Sequence, residues 1–431
     1  MCINDALEEI GWGKYQELVY SNCFLAILLA TLWMEMTSLL MYDYEGEYWE
    51  IFLLPVCLNF GSLIGCYLQS YITDKVGRAS TFKLSAIISS LGGLWLCVFP
   101  FSFMFHIGLS IVGFGLGGDM VISYTLLLES MPKSKINHLT LLNMGWNVGI
   151  SFFIFIALII ELFWVFNTPG WMILIWVGTF SAGFLTYYRS QLLESPHYLY
   201  NRGDFRLNGV LKKIAEINNN KDYIPRIFLR IQDKTILGNN HENMLKNTIL
   251  LTCEYFFANT PYYCLIFFMP DILPKCNDYA LYTVMFLQQF SGIPGVITAS
   301  YMINGPFGAK YTRVLGFSIS AFLMFSLSLP LNDYVIFVVS CGLFFFLTIG
   351  LSTLYTFSQE MYPTAVRGIA NGWLCGISLI TGCIGPALIG QIKNMSGITP
   401  VFYILTASFG LAAVFSIGIV DNTPEKADYI G

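Results

Sequence analysis

Three acidic residues stand inside long apolar runs of the sequence: Glu35, Asp119 and Glu254. A carboxylate at the centre of a membrane helix costs roughly 2.5–3.5 kcal/mol on insertion scales, so such residues face the interior of a helix bundle. A bound cation or a proton offsets this cost because either one neutralises the charge. No Lys or Arg lies deep in any of the apolar runs. The three acids therefore predict a site for a cationic substrate or for coupled protons.

Polar and aromatic residues near these acids complete the predicted site. Thr31 lies four residues before Glu35, so the two share one face of an apolar helix, and Asn143 and Asn147 share a face in the same way. Aromatic rings bind cations through their faces. The predicted substrate-binding residues are Glu35, Asp119, Glu254, Thr31, Asn147, Trp146, Tyr124, Tyr255, Tyr355 and Trp373, with Tyr262 as a further aromatic candidate.

The composition indicates a membrane protein with many helices. Of the 431 residues, 55% are hydrophobic and only 11% are charged, whereas soluble proteins carry about 25% charged residues. The cysteines show neither metal-binding spacing nor a secreted disulfide pattern, and the four histidines form no metal set. No nucleotide-binding motif is present. We therefore expect no metal, no cofactor, no nucleic acid partner and no enzyme chemistry.

Twelve runs have the length of about 20 mostly apolar residues that a membrane helix needs. Between the sixth and the seventh lies one long polar segment, 190–245. The fold class predicted is all-α, with twelve membrane helices in two six-helix halves. The predicted helices are 18–42, 51–73, 82–104, 106–128, 139–163, 170–189, 246–270, 279–303, 313–330, 333–357, 366–390 and 398–420.

The distribution of basic residues predicts the orientation of this bundle. With twelve helices, both termini and the long central segment lie on one side. Of the 22 Lys and Arg residues, only Lys275 and Lys393 fall on the other side. Because basic residues are kept on the cytoplasmic side, both termini are predicted to be cytoplasmic. The plasma membrane is the predicted location, and a monomer is the predicted state.

A repeat divides the chain into two related halves. "YTLLLESMP" at 124–132 and "YTFSQEMYP" at 355–363 share their Tyr, Glu and Pro positions. Internal repeats of this kind indicate two bundles related by symmetry. We predict an N-terminal six-helix bundle at 1–189, a helical cytoplasmic linker at 190–245 and a C-terminal six-helix bundle at 246–431.

Several short motifs resemble those of the major facilitator superfamily. "TDKVGR" (73–78) resembles its signature between helices two and three. "LESPHYL" (193–199) and "EMYPTAVRGIANG" (360–372) resemble signatures of its sugar-porter and organic-ion branches. "IGWGKYQ" (10–16) and "GFGLGG" (113–118) resemble the synaptic-vesicle-protein-type branch, which is close to the organic cation transporters. The resemblance implies alternating access to a site between the halves, with gating residues Asp74, Arg78, Glu129, Glu194, Glu360 and Arg367.

Three functions remain open at this point. The acids favour transport of a small organic cation, such as a polyamine, by a secondary active or facilitative transporter. Coupling of this transport to protons is compatible with the same acids. A sugar porter is the first alternative, and it would use Gln288, Gln289, Asn371 and Trp373. A structural or receptor subunit that does not transport is the second, because "NGPFGAK" (304–310) lacks the acid and the first arginine of its first-half counterpart.

Overall fold

A computed structural model of the chain describes residues 3–43, 48–99, 103–162, 170–220, 223–224, 241–272, 278–362 and 364–419. Within these ranges the structure is helical. The α-helices are α1 (Ile3–Ile10), α2 (Lys14–Asp43), α3 (Tyr48–Val76), α4 (Arg78–Val98), α5 (Phe103–Ser130), α6 (Asn137–Leu142), α7 (Met144–Leu162), α8 (Gly170–Tyr188), α9 (Pro196–Arg202), α10 (Leu207–Ile217), α11 (His241–Ile272), α12 (Asp278–Asn304), α13 (Gly308–Ser326), α14 (Asp333–Met361), α15 (Thr364–Ser396) and α16 (Thr399–Gly418).

The long helices form one membrane bundle. Nine spans within the described ranges are long and apolar enough to cross a membrane. The helices α11, α12 and α13 pack beside them and complete twelve spans, which agrees with the predicted all-α fold. We call the side of the bundle that carries α1, α9 and α10 the loop side, and the other the opposite side.

The predicted fifth helix, 139–163, is divided in the structure. It consists of α6 and α7, which meet at Asn143. The Asn143 side chain donates to the carbonyl of Thr140 at 3.2 Å and to that of Leu139 at 3.4 Å. An asparagine that bonds to the preceding turn competes with the helical hydrogen bonds, so the helix breaks where this side chain turns back.

Within the first half, α3 and α5 approach closely through two pairs of glycines. Gly61 and Gly65 of α3 face the backbone of α5, while Gly113 and Gly117 of α5 face the backbone of α3. A Cβ atom built on Gly65 would lie 2.0 Å from the carbonyl oxygen of Phe114. Small residues four apart allow membrane helices to pack this closely, and the contact fixes the position of α5 beside the molecular centre.

The two halves meet along two helix pairs, α3 with α15 and α7 with α12. A glycine stripe on α15 faces α3: a Cβ at Gly372 would lie 2.4 Å from Ser70 Oγ, and one at Gly376 would lie 2.3 Å from the Tyr67 hydroxyl. In the other pair, a Cβ at Gly292 would lie 2.2 Å from Asn147 Oδ1. The halves therefore approach each other closely along glycine surfaces.

A small helical cap covers the loop side of the first half. The short α1, absent from the predicted elements, buries Ile3, Leu7 and Ile10 against α9, α10 and the first half of the bundle. The spacing of these residues is that of an amphipathic helix, so the sequence carried a signal for it. The segment 190–245, which the sequence analysis assigns to a helical linker, contains α9 and α10. Residues 221–222 and 225–240 of this segment lie outside the described residues.

Candidate functional site

A central cavity lies between the two halves. Its empty volume is about 830 Å³, including the part open to solvent. Among the described residues that line it, none carries a charge, and six are aromatic. The lining consists of Met120, Val121, Tyr124, Asn143, Trp146, Asn147, Tyr255, Tyr262, Tyr263, Val296, Thr348, Leu351, Ser352, Tyr355, Gln359, Asn371, Cys375 and Ser378.

The wall formed by the first half is organised around the Tyr124 hydroxyl. This hydroxyl donates to Asn143 Oδ1 at 2.8 Å and accepts from Trp146 Nε1 at 3.2 Å. Asn143 also donates to the carbonyl of Ser352 in the second half at 3.4 Å. The kink at Asn143 thus positions an aromatic and amide cluster at the boundary between the halves.

The wall formed by the second half is built from tyrosines that are held by polar partners. Tyr355 donates to Asn259 Oδ1 at 2.6 Å, and the Tyr255 and Ser358 hydroxyls are 2.8 Å apart. The Tyr255 and Tyr355 ring centroids are 5.6 Å apart. These contacts fix the rings, so their faces are held in place before a ligand arrives.

One polar atom beside the cavity has no protein partner. Asn371 donates to Gln359 Oε1 at 2.7 Å, but the Asn371 Oδ1 atom is buried and accepts no hydrogen bond within the described part of the chain. Leaving a buried acceptor unsatisfied costs about 1–3 kcal/mol. A ligand with an N–H or O–H group would recover that energy.

The halves also touch on both sides of the cavity. Toward the loop side, the Thr140 and Thr356 hydroxyls are 3.2 Å apart. Toward the opposite side, Ser38 of α2 donates to the carbonyl of Ile266 in α11 at 3.5 Å. The cavity therefore lies at the middle of the bundle, as the two-half architecture implies.

Asp119 points away from this cavity. Its carboxylate receives two bonds from Arg189, at 2.7 and 3.0 Å, and one from the Ser85 hydroxyl. Arg189 also donates to the carbonyl of Phe82 at 2.6 Å and lies over its ring. Both charged side chains are almost fully buried, at 0% and 1% exposure. The inference that the buried acids have no buried basic residue to neutralise them is therefore wrong for Asp119.

Glu254 is paired in the same way in the second half. Arg313 Nη1 lies 2.9 Å from Glu254 Oε2, and both side chains are 0% exposed. Ser416 donates to the other carboxylate oxygen at 2.5 Å, and the Arg313 guanidinium stacks over Phe357. The inference that no arginine lies deep in the bundle was wrong here as well, because α13 begins at Gly308 and brings Arg313 inside.

The two acids miss the cavity by one position in their helices. Adjacent helical residues are about 100° apart. Met120 and Tyr255 line the cavity, so Asp119 and Glu254 face the interior of their own half. The face of α5 that carries Gly115 and Asp119 packs on α4, where a Cβ at Gly115 would lie 2.1 Å from Ser89 Oγ. Both ion pairs therefore hold helices together within one half.

Glu35 differs from the other two acids because no basic residue pairs with it among the described residues. It is 2% exposed, and its Oε2 atom has no hydrogen-bond partner in the described structure. It does not line the cavity but lies within electrostatic range of Tyr262, which does. Thr31 bonds to the carbonyl of Leu28 at 2.7 Å and faces Gly149 of α7, so it also lies outside the cavity wall.

The remaining predicted site residues are divided between the cavity and the surface. Trp373 lies outside the cavity wall: its side chain is 46% exposed, and its ring nitrogen donates to Thr252 at 3.0 Å. Sequence reasoning assigned Asn371 only to the sugar alternative and left out Tyr263 and Gln359, for which a single sequence gives no signal. Six predicted residues line the cavity: Tyr124, Trp146, Asn147, Tyr255, Tyr355 and the further candidate Tyr262.

Four of the predicted gating residues form one cluster on the loop side. Arg78 pairs with Asp74 at 2.9 Å and with Glu129 at 3.2 Å. Glu194 Oε1 accepts from the backbone N–H groups of Arg78 and Ala79 at 2.6 and 3.1 Å, so it caps the first turn of α4. The cluster ties α3, α4, α5 and the linker together.

Glycine and histidine complete this loop-side cluster. Gly77 has φ 122°, and a Cβ there would lie 2.3 Å from Glu194 Oε2, which explains the glycine of "TDKVGR". His197 Nδ1 lies 2.7 Å from the Glu129 carbonyl oxygen, and its Nε2 lies 2.8 Å from Asn4 Oδ1. Burial lowers the pKa of His197, and the positive charges of Arg367 and Lys133 lower it further against the opposing effect of Glu129.

The two gating residues of the second half lie across the turn between α14 and α15. Glu360 is in the last turn of α14 and Arg367 is in the first turn of α15. Arg367 Nε donates to the carbonyl of Tyr362 at 3.1 Å. A Cβ at Gly368 would lie 2.9 Å from Asp74 Oδ1, so this turn packs directly on the gating cluster of the first half.

Comparison with known proteins identifies the family. The family model described as "Sugar (and other) transporter" matches residues 29–425, nearly the whole chain. The chain belongs to the sugar (and other) transporter family. This confirms the resemblance to the major facilitator superfamily, and it makes the protein a multi-pass membrane transporter rather than an enzyme.

Individual known proteins resemble the chain over most of its length. The synaptic vesicle 2-related protein of Xenopus laevis is 25% identical, over 96% of this chain and 80% of the relative. The niacin transporter NiaP of Acinetobacter baylyi is 25% identical, over 85% and 84%. A partially occluded inward open structure of the xylose transporter XylE from E. coli has a TM-score of 0.72 at 18% identity, covering 94% of this chain and 98% of XylE. That likeness confirms the twelve-helix fold.

Proposed function

We propose that this transporter carries a small, planar and uncharged molecule with hydrogen-bonding groups, of the nicotinamide type. The observation that carries the proposal is the chemistry of the central cavity. Its described lining contains six aromatic side chains and several amides and hydroxyls but no charged group. Transport would proceed by alternating access, as the halves tilt about their glycine-lined contacts.

The absence of charge in the described lining separates substrates of similar shape. A carboxylate or ammonium group moved from water into this wall would lose hydration without gaining an opposite charge. The niacin transporter NiaP gives a pyridine ring as the kind of cargo a relative carries. Nicotinate is an anion at neutral pH, whereas its carboxamide is neutral. The cavity therefore favours nicotinamide over nicotinate.

The polar groups of the cavity match the carboxamide. The unsatisfied Asn371 Oδ1 would accept a hydrogen bond from the amide NH₂ group. Aromatic rings pack with centroids about 4.5–7 Å apart, and Tyr255 and Tyr355, which pack on each other, both line the cavity. A ring packed against this tyrosine pair, with its amide on Asn371, would use both kinds of lining at once.

Glu35 supports coupling of this transport to protons. When a carboxyl group is buried without a basic partner, its charged form is strongly disfavoured, so the group takes up a proton. Glu35 lies within electrostatic range of Tyr262 in the cavity wall, so a change in the charge of Glu35 changes the electrostatic potential at the cavity. We expect protonation of Glu35 to accompany the conformation that the structure describes.

A small monovalent organic cation is the second candidate substrate. It is favoured by the same aromatic wall, since rings attract cations, and by Glu35, whose Oε2 atom has no partner among the described residues and which interacts electrostatically with Tyr262. The polyamine prediction depended on three acids at separate places, and two of them are neutralised by Arg189 and Arg313.

The sugar alternative keeps little of its original support. Gln288 donates to Ser340 at 2.6 Å in the interior of the second half, and neither Gln288 nor Gln289 lines the cavity. Of the four residues proposed for sugar, only Asn371 does so.

The test is uptake into vesicles that contain the purified protein. Labelled nicotinamide, nicotinate, spermidine, tetraethylammonium and glucose are compared, with and without an inward proton gradient. We expect saturable nicotinamide uptake, with Asn371→Leu raising KM about tenfold, as loss of a net hydrogen bond of about 1.4 kcal/mol would do. Trp373→Leu is the matched control outside the cavity.

Each other outcome assigns a different function. Tetraethylammonium uptake that Glu35→Gln abolishes would replace the proposal with the cation transporter. Glucose uptake would replace it with a sugar porter. Nicotinamide uptake that ignores the proton gradient and Glu35→Gln would remove the coupling while leaving the substrate in place.

A further inference from the structure

Two cysteines face each other across the boundary between the halves. Cys66 lies on α3, in the first half, and Cys375 lies on α15, in the second. The two side chains pack in one cluster and interact electrostatically. The Cys66 thiol also donates to the carbonyl of Gly372, one turn before Cys375, at 3.2 Å. Both cysteines belong to one small apolar cluster with Val121 and Leu379.

The two thiols differ in access. Cys66 is 0% exposed, whereas Cys375 is half-buried and lines the central cavity. A small uncharged molecule that enters the cavity therefore meets Cys375 first, with Cys66 directly behind it. An accessible cysteine next to a second thiol is the arrangement found in redox-sensitive sites.

We propose that Cys66 and Cys375 form a reversible disulfide that locks the two halves together, with hydrogen peroxide as the oxidant. The sulfur of Cys375 attacks one peroxide oxygen, the O–O bond breaks, and the products are a sulfenic acid and one water molecule. The sulfur of Cys66 then attacks the sulfenic sulfur, forms the S–S bond and releases a second water. The two thiols lose two electrons in total, which reduce the peroxide.

The position of the pair determines what the disulfide would block. The helices α3 and α15 run antiparallel, and their contacts toward the loop side continue through Ser70 with Gly372 and Asp74 with Gly368. Opening of the cavity toward the loop side requires these contacts to separate. A covalent bond between Cys66 and Cys375 would hold the adjacent segments together, so the transporter would stay closed on that side.

A second cysteine pair on the same helices provides a matched control. Cys57 of α3 and Cys383 of α15 interact electrostatically, and the Cys383 thiol donates to the carbonyl of Val56 at 3.9 Å. This pair lies nearer the opposite side of the bundle, and neither of its members lines the cavity. It shares the helices and the residue type with the first pair but lacks access from the cavity.

The experiment treats the full-length protein in vesicles with hydrogen peroxide and then with dithiothreitol. Peptide mass spectrometry measures the disulfide, hydrogen exchange of the loop-side ends of α3 and α15 measures the closure, and nicotinamide uptake measures transport. We expect a linked peptide containing Cys66 and Cys375, slower exchange, and at least a tenfold loss of uptake that dithiothreitol restores. Cys375→Ser should remove all three effects, and Cys383→Ser should remove none.

The inference needs two halves that move, but it does not depend on the identity of the substrate. The linked peptide and the exchange rates are measured without any substrate, so a failed nicotinamide assay leaves them readable. Absence of the linked peptide would overturn the proposal. A linked peptide with unchanged hydrogen exchange would also overturn it. So would a peroxide-induced loss of uptake in Cys375→Ser equal to that in the wild type, since each result shows that the bond does not lock the halves.

Discussion

The buried ion pair between Glu254 and Arg313 allows a structural role to be separated from a substrate-binding role. Both side chains are 0% exposed and 2.9 Å apart. Removing one partner of such a pair leaves an uncompensated buried charge and costs about 3–5 kcal/mol. Removing both partners is often neutral. We expect Glu254→Gln and Arg313→Met to destabilise the protein, and the double variant to recover most of the loss.

The magnitude follows from the contacts. About 3–5 kcal/mol corresponds to roughly a 100- to 4,000-fold change in the folding equilibrium. The equivalent change in the first half, Asp119→Asn, should cost more, because Arg189 makes two bonds to Asp119 and only one contact within 3 Å joins Arg313 to Glu254.

The assay combines unfolding of the purified protein in detergent with uptake kinetics in vesicles. Unfolding temperatures give the order of stability among wild type, the two single variants and the double variant. The double variant should fold and keep the wild-type KM, because neither residue lines the cavity. A double variant that is stable but shows a KM raised tenfold or more would refute the structural role and return Glu254 to the substrate site.

Three further predictions concern other parts of the bundle. Tyr124→Phe removes the hydroxyl that joins the first-half wall, and should raise the substrate KM about fivefold to tenfold at unchanged expression; an unchanged KM would show that this wall does not contact substrate. Gly65→Leu should prevent folding, as judged by gel filtration, because its side chain would overlap α5, whereas Gly410→Ala, with open space around it, should fold normally. Because burial lowers the pKa of His197 below its ordinary 6.5, its contribution to stability is complete above pH 6.5 and is lost as pH falls through the folded-state pKa. As the pH is lowered from 8 to 5, the unfolding temperature of His197→Gln should therefore fall less steeply than that of the wild type. Identical slopes for the two proteins would contradict the lowered pKa of His197.

The fold could be predicted in most respects because a membrane imposes strong rules on sequence. Apolar runs of fixed length and the repeat at 124–132 and 355–363 were sufficient for twelve helices in two halves. The break at Asn143 was not visible, because it depends on a side chain that bonds to the turn before it. The helix α1 was missed because it is short, although the spacing of its buried residues was helical.

The site was predicted less completely because helical faces were assigned without knowing the neighbours. Residue type alone placed Asp119 and Glu254 in the substrate site, yet each faces its own half, one position away from the cavity. The basic partners came from the ends of other helices. Arg189 lies just beyond α8, and its long side chain reaches inward. A single sequence does not indicate which helix end lies beside which acid.

Equilibrium binding of labelled nicotinamide to the purified protein tests the central claim most directly, because the claim is that an uncharged, aromatic cavity selects a neutral planar substrate. The account predicts saturable binding that unlabelled nicotinamide displaces at least tenfold more effectively than nicotinate or spermidine, and that Asn371→Leu weakens about tenfold. Displacement by spermidine or nicotinate at concentrations equal to or below that of nicotinamide would contradict it, since a charged ligand would then be the better fit for the cavity.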